Sequence, residues 1–484
     1  MNYKQDLRLL SYMQLFIAGF MIIPTVMAYV NNEQKAFIGF LYSFGVITVF
    51  CIFVALFTHK EKDANLGTRD GYFFVTFTWI LGAAVSAIPL FVSGSYPDYV
   101  SAYFEVMSGF TTTGATVLTQ IEDNPMSILF WRSATNWLGG MGIVVLLVAL
   151  IPRVGSGGNK LVGAESVGPV KDKLTPKIQN TALILWSIYV GFSLLEVILL
   201  KFGGLNIYEA VTVTFSTMAA AGFCVKNSSI GTFNSSYVEI VVTVFMLIGG
   251  ANFALYYKAF TGRLKNVLKD GELHAYLLIW GTCTLVIAFF LTNKGVYGDF
   301  STALRYSAFQ NASIITTTGF ATANYCLWPT FTQMVLLILF FVGGCAGSAG
   351  GGIKVIRVAT VIKAAVVHIK QRIYPSGIFP VKVGSDVIKD DVLISISGFI
   401  AIYIATGLIG SAIAALSGCD MMTAFSASFL CLGNIGIGFG SVGPTGNFAA
   451  FSPFLKWMFA FLMLLGRLEL YTVFALFTKS FWKK

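Results

Sequence analysis

The stretch TTTGFAT (316–322) decides the fold of this chain, because related stretches recur elsewhere in it. The related stretches are TTTGAT (111–116), AAAGF (219–223) and GNIGIG (433–438), and the central glycines of the four are Gly114, Gly222, Gly319 and Gly436. A single turn of this kind in an apolar segment is usually a helix-packing motif, since Thr and Gly let helices approach closely. Four turns at the same place in a fourfold repeat indicate a shared functional structure.

A short apolar segment precedes each turn and begins at a polar residue suited to capping a helix N-terminus. The four segments lie near 98–113, 206–221, 299–318 and 420–435, and the candidate caps are Asp98, Asn206, Asp299 and Asp420. The cap lies 16 residues before the central glycine in three repeats and 20 residues before it in the third, which would add about one helical turn. Segments of this length are typical of re-entrant half-helices.

Longer apolar segments on both sides of the half-helices are long enough to cross a bilayer. Ten occur, at about 9–30, 36–58, 71–93, 127–151, 180–201, 237–260, 273–292, 330–371, 392–416 and 454–478. The eighth is too long for one span and is interrupted by GGCAGSAGGG (343–352), where a helix would not persist. Small-residue sites open the second helix of each unit: Gly139-Gly140, Gly249-Gly250, Gly343-Gly344 and Gly466.

Composition supports a membrane protein. Of the 484 residues, 56% are hydrophobic and only 11% are charged, too few charges to cover the surface of a soluble protein. The sequence predicts an all-α polytopic membrane protein with four pseudo-repeated helix–pore-helix–helix units around one central pore, preceded by two extra N-terminal transmembrane helices. The predicted divisions are 1–64 for the N-terminal helices and 65–170, 171–268, 269–385 and 386–484 for pore repeats 1 to 4.

The distribution of Lys and Arg predicts the orientation. With the N-terminus inside, the inner segments hold 24 of the 32 basic residues. The outer segments hold seven: Lys35, Arg132, Lys201, Lys226, Lys294, Arg305 and Lys456. The inner basic residues are spread over several short loops, so they indicate topology and not a nucleic-acid surface.

Enzymatic motifs are missing from the sequence. It contains no HExxH, GxSxG or GxxxxGK[ST] motif, and its seven cysteines form no CxxC pair. A membrane enzyme is therefore the weakest hypothesis, and no organic cofactor is expected on this chain.

The turns suit cation binding. A dehydrated cation needs oxygen ligands, and four equivalent repeats in one chain can supply a pseudo-fourfold ring of backbone carbonyls. The backbone conformations that point successive carbonyls at one axis are tolerated by glycine and resisted by β-branched residues. The candidate ligands are Thr111, Thr112, Thr113, Gly114, Ala220, Ala221, Gly222, Thr316, Thr317, Thr318, Gly319, Asn434, Ile435 and Gly436.

Several strings resemble the Trk/Ktr/HKT superfamily of potassium transporters, and most closely the membrane subunits of bacterial Trk systems. These strings are SGFTTTGAT (108–116), WLGGMGIVVL (137–146), AFQNASIITTTGFATANY (308–325), GGCAGSAGGGIKVIRV (343–358) and GRLELYTVFALF (466–477). The resemblance implies K⁺ as the transported ion, a homodimer, and a cytosolic nucleotide-binding regulatory ring of the TrkA type. It also implies a multi-pass protein of the bacterial cell membrane that contacts the lipid bilayer. The N-terminus is then cytoplasmic.

Two turns depart from the family pattern. The second has Ala219, Ala220 and Ala221 in place of threonines, and the fourth has Asn434 and Ile435. A hydroxyl-lined inner site therefore cannot be four-sided, which predicts fewer strong sites and weaker rejection of other monovalent cations. In related plant carriers, Ser at the first central position goes with sodium transport, so Gly114 favours potassium.

The interruption at 343–352 is the predicted gate. A surface loop is the alternative, but the stretch carries no charge and joins apolar runs without a polar flank. In the family this loop restricts the pore. The gate candidates are Gly343, Gly344, Gly347, Gly350, Gly351, Gly352, Lys354 and Arg467.

Arg467 lies near the middle of the last predicted span, where a charge is costly and usually faces an interior cavity. Glu469, two residues further on, points elsewhere and is a poor partner. The carbonyls of the loop are a better partner, and an inert salt bridge to another helix is the alternative. Lys354 and Arg357 are expected at the inner mouth.

Two transport mechanisms remain open. The first is a channel-like pore gated from the cytosol, and the second is a secondary transporter that couples K⁺ to Na⁺ or H⁺. Coupling normally needs ionisable groups at the midplane, where Arg467 and Glu469 are the clear candidates, so it is the weaker hypothesis. The regulatory partner is expected at the inner segments 152–177, 258–272 and 354–391.

Overall fold

The computed structural model describes residues 2–58, 67–142, 145, 178–383 and 386–483. The helices up to the second repeat are α1 (Tyr3–Val30), α2 (Gln34–Thr58), α3 (Thr68–Val92), α4 (Tyr99–Phe110), α5 (Met126–Gly140), α6 (Ile178–Phe202), α7 (Ile207–Met218), α8 (Ser236–Gly249), α9 (Phe253–Phe260) and α10 (Leu264–Val267). The remaining helices are α11 (Gly271–Asn293), α12 (Phe300–Ile315), α13 (Thr330–Leu339), α14 (Val355–Ile373), α15 (Asp390–Leu416), α16 (Met421–Gly433), α17 (Pro453–Arg467), α18 (Tyr471–Leu476) and α19 (Lys479–Trp482).

The fold is that of an all-α polytopic membrane protein. Within the described ranges, six helices are long and apolar enough to cross a membrane: α1, α2, α3, α6, α11 and α15. The bent pair α8–α9 would be a seventh span if it is counted as one. Besides short 3-10 helices, the remaining regular structure in the described ranges is a small antiparallel hairpin of β1 (Lys382–Val383) and β2 (Asp386–Val387) between α14 and α15.

The four half-helices form as predicted and are α4, α7, α12 and α16. Each predicted cap side chain accepts a hydrogen bond from the backbone nitrogen three residues later, at 2.7 Å for Asp98, 2.8 Å for Asn206, 2.8 Å for Asp299 and 3.0 Å for Asp420. The helix α12 has 16 residues, against 12 or 13 in the others, so the extra turn of the third repeat is confirmed. Hydrogen bonds from Thr423 lower the pKa of Asp420, which keeps this cap charged.

The second helix of every repeat is short or broken, which corrects the prediction that only one of the ten spans is interrupted. The helix α5 ends at Gly140, α8 and α9 are bent by 94° at their junction, and α17 ends at Arg467 before α18 begins. The glycines cause this geometry. A Cβ on Gly139 would overlap the Phe110 carbonyl at the end of α4, and one on Gly466 would overlap the Leu432 carbonyl. The small-residue sites therefore end these helices, and most of the predicted span 127–151 beyond Gly142 lies outside the described residues.

The repeats are arranged in a ring. The helix α5 of the first repeat packs on α7 of the second, α8 of the second packs on α12 of the third, and α17 of the fourth packs back on α4 of the first. The Tyr325 hydroxyl of the third repeat donates to the Gly438 carbonyl of the fourth at 2.6 Å. The extra helices α1 and α2 pack against α3, outside this ring. The predicted divisions at 64/65 and 170/171 lie outside the described residues.

Candidate cation filter and gate

The four central glycines meet in a closed ring at the C-terminal ends of the half-helices, which are the candidate pore helices. A Cβ on Gly114 would overlap the backbone of Gly222, and one on Gly222 would overlap that of Gly319. In the same way Gly319 lies against Gly436, and Gly436 lies against Gly114. Each repeat thus touches the next, and the fourth touches the first. No side chain fits between these neighbours, so only glycine is compatible with the ring.

The backbone before each glycine follows one pattern in all four repeats. The residue two positions before the glycine is left-handed, with φ of 55° at Thr112, 53° at Ala220, 61° at Thr317 and 53° at Asn434. The next amide nitrogen donates to a carbonyl five residues earlier, at 2.8–2.9 Å: Thr113 to Ser108, Ala221 to Ser216, Thr318 to Ser313 and Ile435 to Leu430. Left-handed non-glycine residues are strained and cost about 1–3 kcal/mol each. The ring therefore consists of four equivalent backbone segments, at the negative ends of four helix dipoles.

Side chains distinguish the first and third segments from the other two. Thr111 and Thr113 share a hydroxyl–hydroxyl hydrogen bond of 2.9 Å, and Thr316 and Thr318 share one of 2.7 Å. In each pair the first threonine donates to its own pore helix, to Met107 or Ala312. The second threonine is therefore the donor within each pair.

The second and fourth segments lack these pairs. Ala219, Ala220 and Ala221 are fully buried and bring no hydroxyl. In the fourth segment the Asn434 amide donates to the Thr113 hydroxyl at 2.9 Å and to the Met463 carbonyl at 3.0 Å, so it joins the fourth repeat to the first.

The loop 343–352 lies directly beneath this ring and not at the protein surface. The Gly351 nitrogen donates to the Thr317 hydroxyl at 2.6 Å. The Cys345 and Ala349 nitrogens donate to the Gly250 and Gly249 carbonyls at 2.9 and 3.1 Å, where the second repeat bends. Most of the loop is buried. The alternative of a surface loop is therefore wrong.

Arg467 connects this loop to the first repeat. Its guanidinium donates to the Ala349 carbonyl at 2.9 Å, to the Gly140 carbonyl at 2.8 Å and to the Gly139 carbonyl. It also lies 3.3 Å from the Thr112 hydroxyl. The expected pairing with loop carbonyls is present, together with contacts to the break after α5 that the sequence did not predict.

The other charged residues of the region contact protein groups, and all except the half-buried Glu469 are buried. Glu469 pairs with Arg357 at 2.8 Å, and the Arg357 guanidinium lies 4.0 Å from the Phe399 ring. Lys354 is fully buried, has a φ of 85°, and donates to the Gly350 carbonyl inside the loop. Lys354 and Arg357 were expected at an inner mouth, but packing against the loop and α15 encloses both side chains.

Sequence reasoning missed three buried charged residues near these elements. Glu272 at the start of α11 accepts from the Ala346 nitrogen at 2.8 Å and the Ile356 nitrogen at 3.2 Å, so it joins the loop 343–352 to the first turn of α14. Glu105 in α4 pairs with Arg132 at 2.6 Å. Arg132 was counted as an outer residue, yet its side chain is only 2% exposed. A lone carboxylate inside an apolar half-helix was the available signal.

Comparison with known proteins agrees with this geometry. Residues 40–484 match the family described as "TrkH: Cation transport protein". The chain belongs to the TrkH cation transport family. It is 34% identical over 488 residues to the "Trk system potassium uptake protein TrkH" of Escherichia coli strain K12, with 100% of both chains covered. It is 30% identical over 481 residues to the "Trk system potassium uptake protein TrkI" of Halomonas elongata, covering 99% of this chain and 96% of that protein.

A solved structure of the TrkH family has the same fold. The crystal structure of the potassium transporter TrkH from Vibrio parahaemolyticus superposes with a TM-score of 0.89 at 30% sequence identity, and 100% of both chains is covered. The relatives are named as transport proteins. The assignment to the family rests on these full-length similarities and not on the local contacts described above.

Proposed function

We propose that this chain is the membrane subunit of a potassium uptake system. In this proposal K⁺ crosses the cell membrane through the glycine ring, which acts as a selectivity filter, and the N-terminus is cytoplasmic. The repeats divide at 65–170, 171–268, 269–385 and 386–484, the chain functions as a homodimer, and a cytosolic TrkA-type nucleotide-binding ring regulates it.

The closed ring of Gly114, Gly222, Gly319 and Gly436 is the observation that carries the proposal. Four backbone segments of one conformation meet there, and carbonyl oxygens are the ligands that replace the hydration shell of K⁺ in filters. The full-length similarity to proteins named for potassium uptake supports K⁺ as the cation.

The loop 343–352 and Arg467 are proposed as the gate. The loop lies under the filter, bound to Thr317 from above and to the second repeat from the side. Arg467 adds a buried positive charge to the same place, which repels a cation in a low-dielectric path. The partner would act from the inner segments 258–272 and 354–391, since Glu272 bonds both to the Ile356 nitrogen and to the Ala346 nitrogen in the loop. The third predicted segment, 152–177, lies outside the described residues.

Coupling of K⁺ to Na⁺ or H⁺ remains the second candidate, because the structure adds a buried carboxyl to it. Glu196 lies fully buried on the membrane-spanning helix α6, next to Thr217 at the end of the second pore helix. A carboxyl at this depth is a possible proton or sodium site. It lies behind the pore helix and not in the glycine ring, so the channel-like mechanism is the better supported.

Ion flux into liposomes that contain the purified protein tests the proposal. Uptake should follow the K⁺ gradient alone, without a gradient of Na⁺ or H⁺. Gly114→Ser and Gly319→Ser should each admit Na⁺ more readily, because the new side chain displaces a carbonyl of the ring. Unchanged selectivity in both variants would contradict the filter assignment. If K⁺ uptake depends on a gradient of Na⁺ or H⁺, and this dependence is lost in Glu196→Gln, the coupled mechanism is favoured.

The gate is tested by basal flux in the absence of any partner. Arg467→Ala, and deletion of several residues from 343–352, should each raise basal flux, because one removes a positive charge and the other removes a plug. Arg467→Lys should be intermediate, since it keeps the charge but loses the planar fork of donors to the three carbonyls. If both changes leave basal flux at the wild-type level, the gate lies elsewhere. Cross-linking of a regulatory ring to the outer loops would contradict the orientation.

A further inference from the structure

A buried ion pair lies directly behind the filter and contacts two of its four segments. Glu105 is in the middle of α4 and has no exposed surface. Its carboxylate accepts from the Thr116 hydroxyl at 2.7 Å and from the Val117 nitrogen at 2.8 Å. Both partners lie two to three residues after Gly114, where the chain leaves the first filter segment. Glu105 thus holds the outer end of that segment.

Arg132 extends the same network to the second filter segment. Its Nε donates to Glu105 at 2.6 Å, and its terminal nitrogen donates to the Cys224 carbonyl at 2.9 Å. The guanidinium also lies 3.6 Å from the centre of the Phe223 ring. Phe223 and Cys224 directly follow Gly222, so one guanidinium reaches the exit of the second segment from the first repeat.

The other repeats have no acidic residue at the position of Glu105. The position nine residues before the central glycine is Glu105 in the first repeat and Gln310 in the third. The Gln310 side chain likewise reaches the segment after its own glycine, at Thr322 and Ala323. The corresponding residues of the second and fourth repeats are Val213 and Ala427, which cannot make such hydrogen bonds. The second segment therefore depends on Arg132 from its neighbour.

We propose that Glu105 and Arg132 are positioning residues that set ion selectivity by fixing the outer ends of the first and second filter segments relative to each other. The second segment has no hydroxyls of its own, so an external anchor replaces the internal threonine pair. A carbonyl cage discriminates between cations only if its oxygens are held in place, and these two segments form half of the cage. The charges also balance each other, so the pair adds no net field to the pathway. The inference rests on the proposed function of the ring as a filter.

Reversal potentials of the reconstituted protein in mixed K⁺ and Na⁺ test the proposal. Glu105→Gln and Arg132→Gln should each lower the K⁺/Na⁺ permeability ratio by roughly tenfold. The double variant should be no worse than the more severe single variant, because the two residues act as one unit. Glu239→Gln is the matched control, since it breaks another interhelical pair, with Arg305 at 3.1 Å, on the outer rim and away from the glycine ring. Its ratio should be unchanged.

Arg132→Lys covers the case in which the glutamine variants fail to fold. It keeps the charge opposite Glu105, but a single ammonium cannot bridge Glu105 and the Cys224 carbonyl as the guanidinium does. We expect it to melt near the wild-type temperature and still lose part of the selectivity. Wild-type selectivity in the folded variants, or multiplied losses in the double variant, would overturn the proposal. If wild type and Glu239→Gln carry no K⁺ at all, the proposed function fails instead.

Discussion

The first and third segments of the glycine ring differ from the second and fourth in the side chains that hold them. The odd segments have paired threonine hydroxyls and a polar side chain behind them, Glu105 or Gln310. The even segments have alanines or Asn434 before the central glycine and an apolar residue, Val213 or Ala427, at the equivalent position behind it. All four nevertheless share the same left-handed residue and the same backbone hydrogen bond. The backbone of the ring is thus fourfold, whereas its side-chain support differs from repeat to repeat.

This difference shows how duplicated repeats can diverge without losing a common site. The glycine ring constrains every segment equally, because each glycine touches the backbone of its neighbour. The side chains that stabilise a segment are free to change if another repeat supplies the contacts. The second segment receives its contact from the first repeat, through Arg132 to Cys224. The fourth segment is held by Ser426 of its own half-helix, which accepts from the Phe439 nitrogen at 2.6 Å, and is joined to the first repeat through Asn434 and Thr113.

The largest expected effect comes from adding a methyl group to the ring in an even repeat. In Gly222→Ala the new Cβ would overlap the carbonyl group of Gly319, and no flexible side chain is available to move. We expect K⁺ uptake to fall by at least about tenfold, as severely as for Gly114→Ala in an odd repeat. Gly191→Ala on α6 is the control, because nothing lies within 4 Å of its Cβ position. Uptake near the wild-type level in Gly222→Ala would mean that the ring is not fourfold.

A smaller effect should distinguish the two threonine pairs. Thr113→Val removes a hydroxyl that donates to Thr111 and accepts from Asn434, whereas Thr318→Val removes one that donates to Thr316. With about 1 kcal/mol for each of the two net hydrogen bonds, Thr113→Val should raise the K⁺ concentration for half-maximal uptake by up to roughly thirtyfold. Thr318→Val loses one hydrogen bond instead of two, so its free-energy cost should be about half that of Thr113→Val. Equal effects would show that the bond from Asn434 contributes nothing.

The smallest effect concerns stability at the left-handed position. Ala220→Gly relieves backbone strain and loses no hydrogen bond, so it should stabilise the protein by up to about 1 kcal/mol. Asn434→Gly relieves the same strain but loses the bonds to Thr113 and Met463, so it should not stabilise. Thermal unfolding in detergent measures both. A lower melting temperature for Ala220→Gly would indicate that rigidity at this position outweighs strain.

The sequence by itself determined the fold class, the four half-helices with their caps and the four glycines of the ring. These features have local causes. Asp98, Asn206, Asp299 and Asp420 each bond to a nitrogen three residues away, and apolar segment length distinguishes spans from half-helices. The burial of the loop 343–352 also follows from its lack of charge and its apolar flanks.

Only the tertiary structure decided the ends of the second helices and the partners of the buried charges. The helix α5 ends at Gly140 because the close approach of another pore helix and the Arg467 guanidinium, 327 residues away in the chain, occupy that place. Arg132 looked like an outer loop residue until Glu105 and the Cys224 carbonyl proved to surround it. Such contacts join residues that are distant in sequence. The pattern of apolar and polar residues along the chain indicates which side chains are buried. It does not indicate which residues they contact, because those contacts depend on how the four repeats close into a ring.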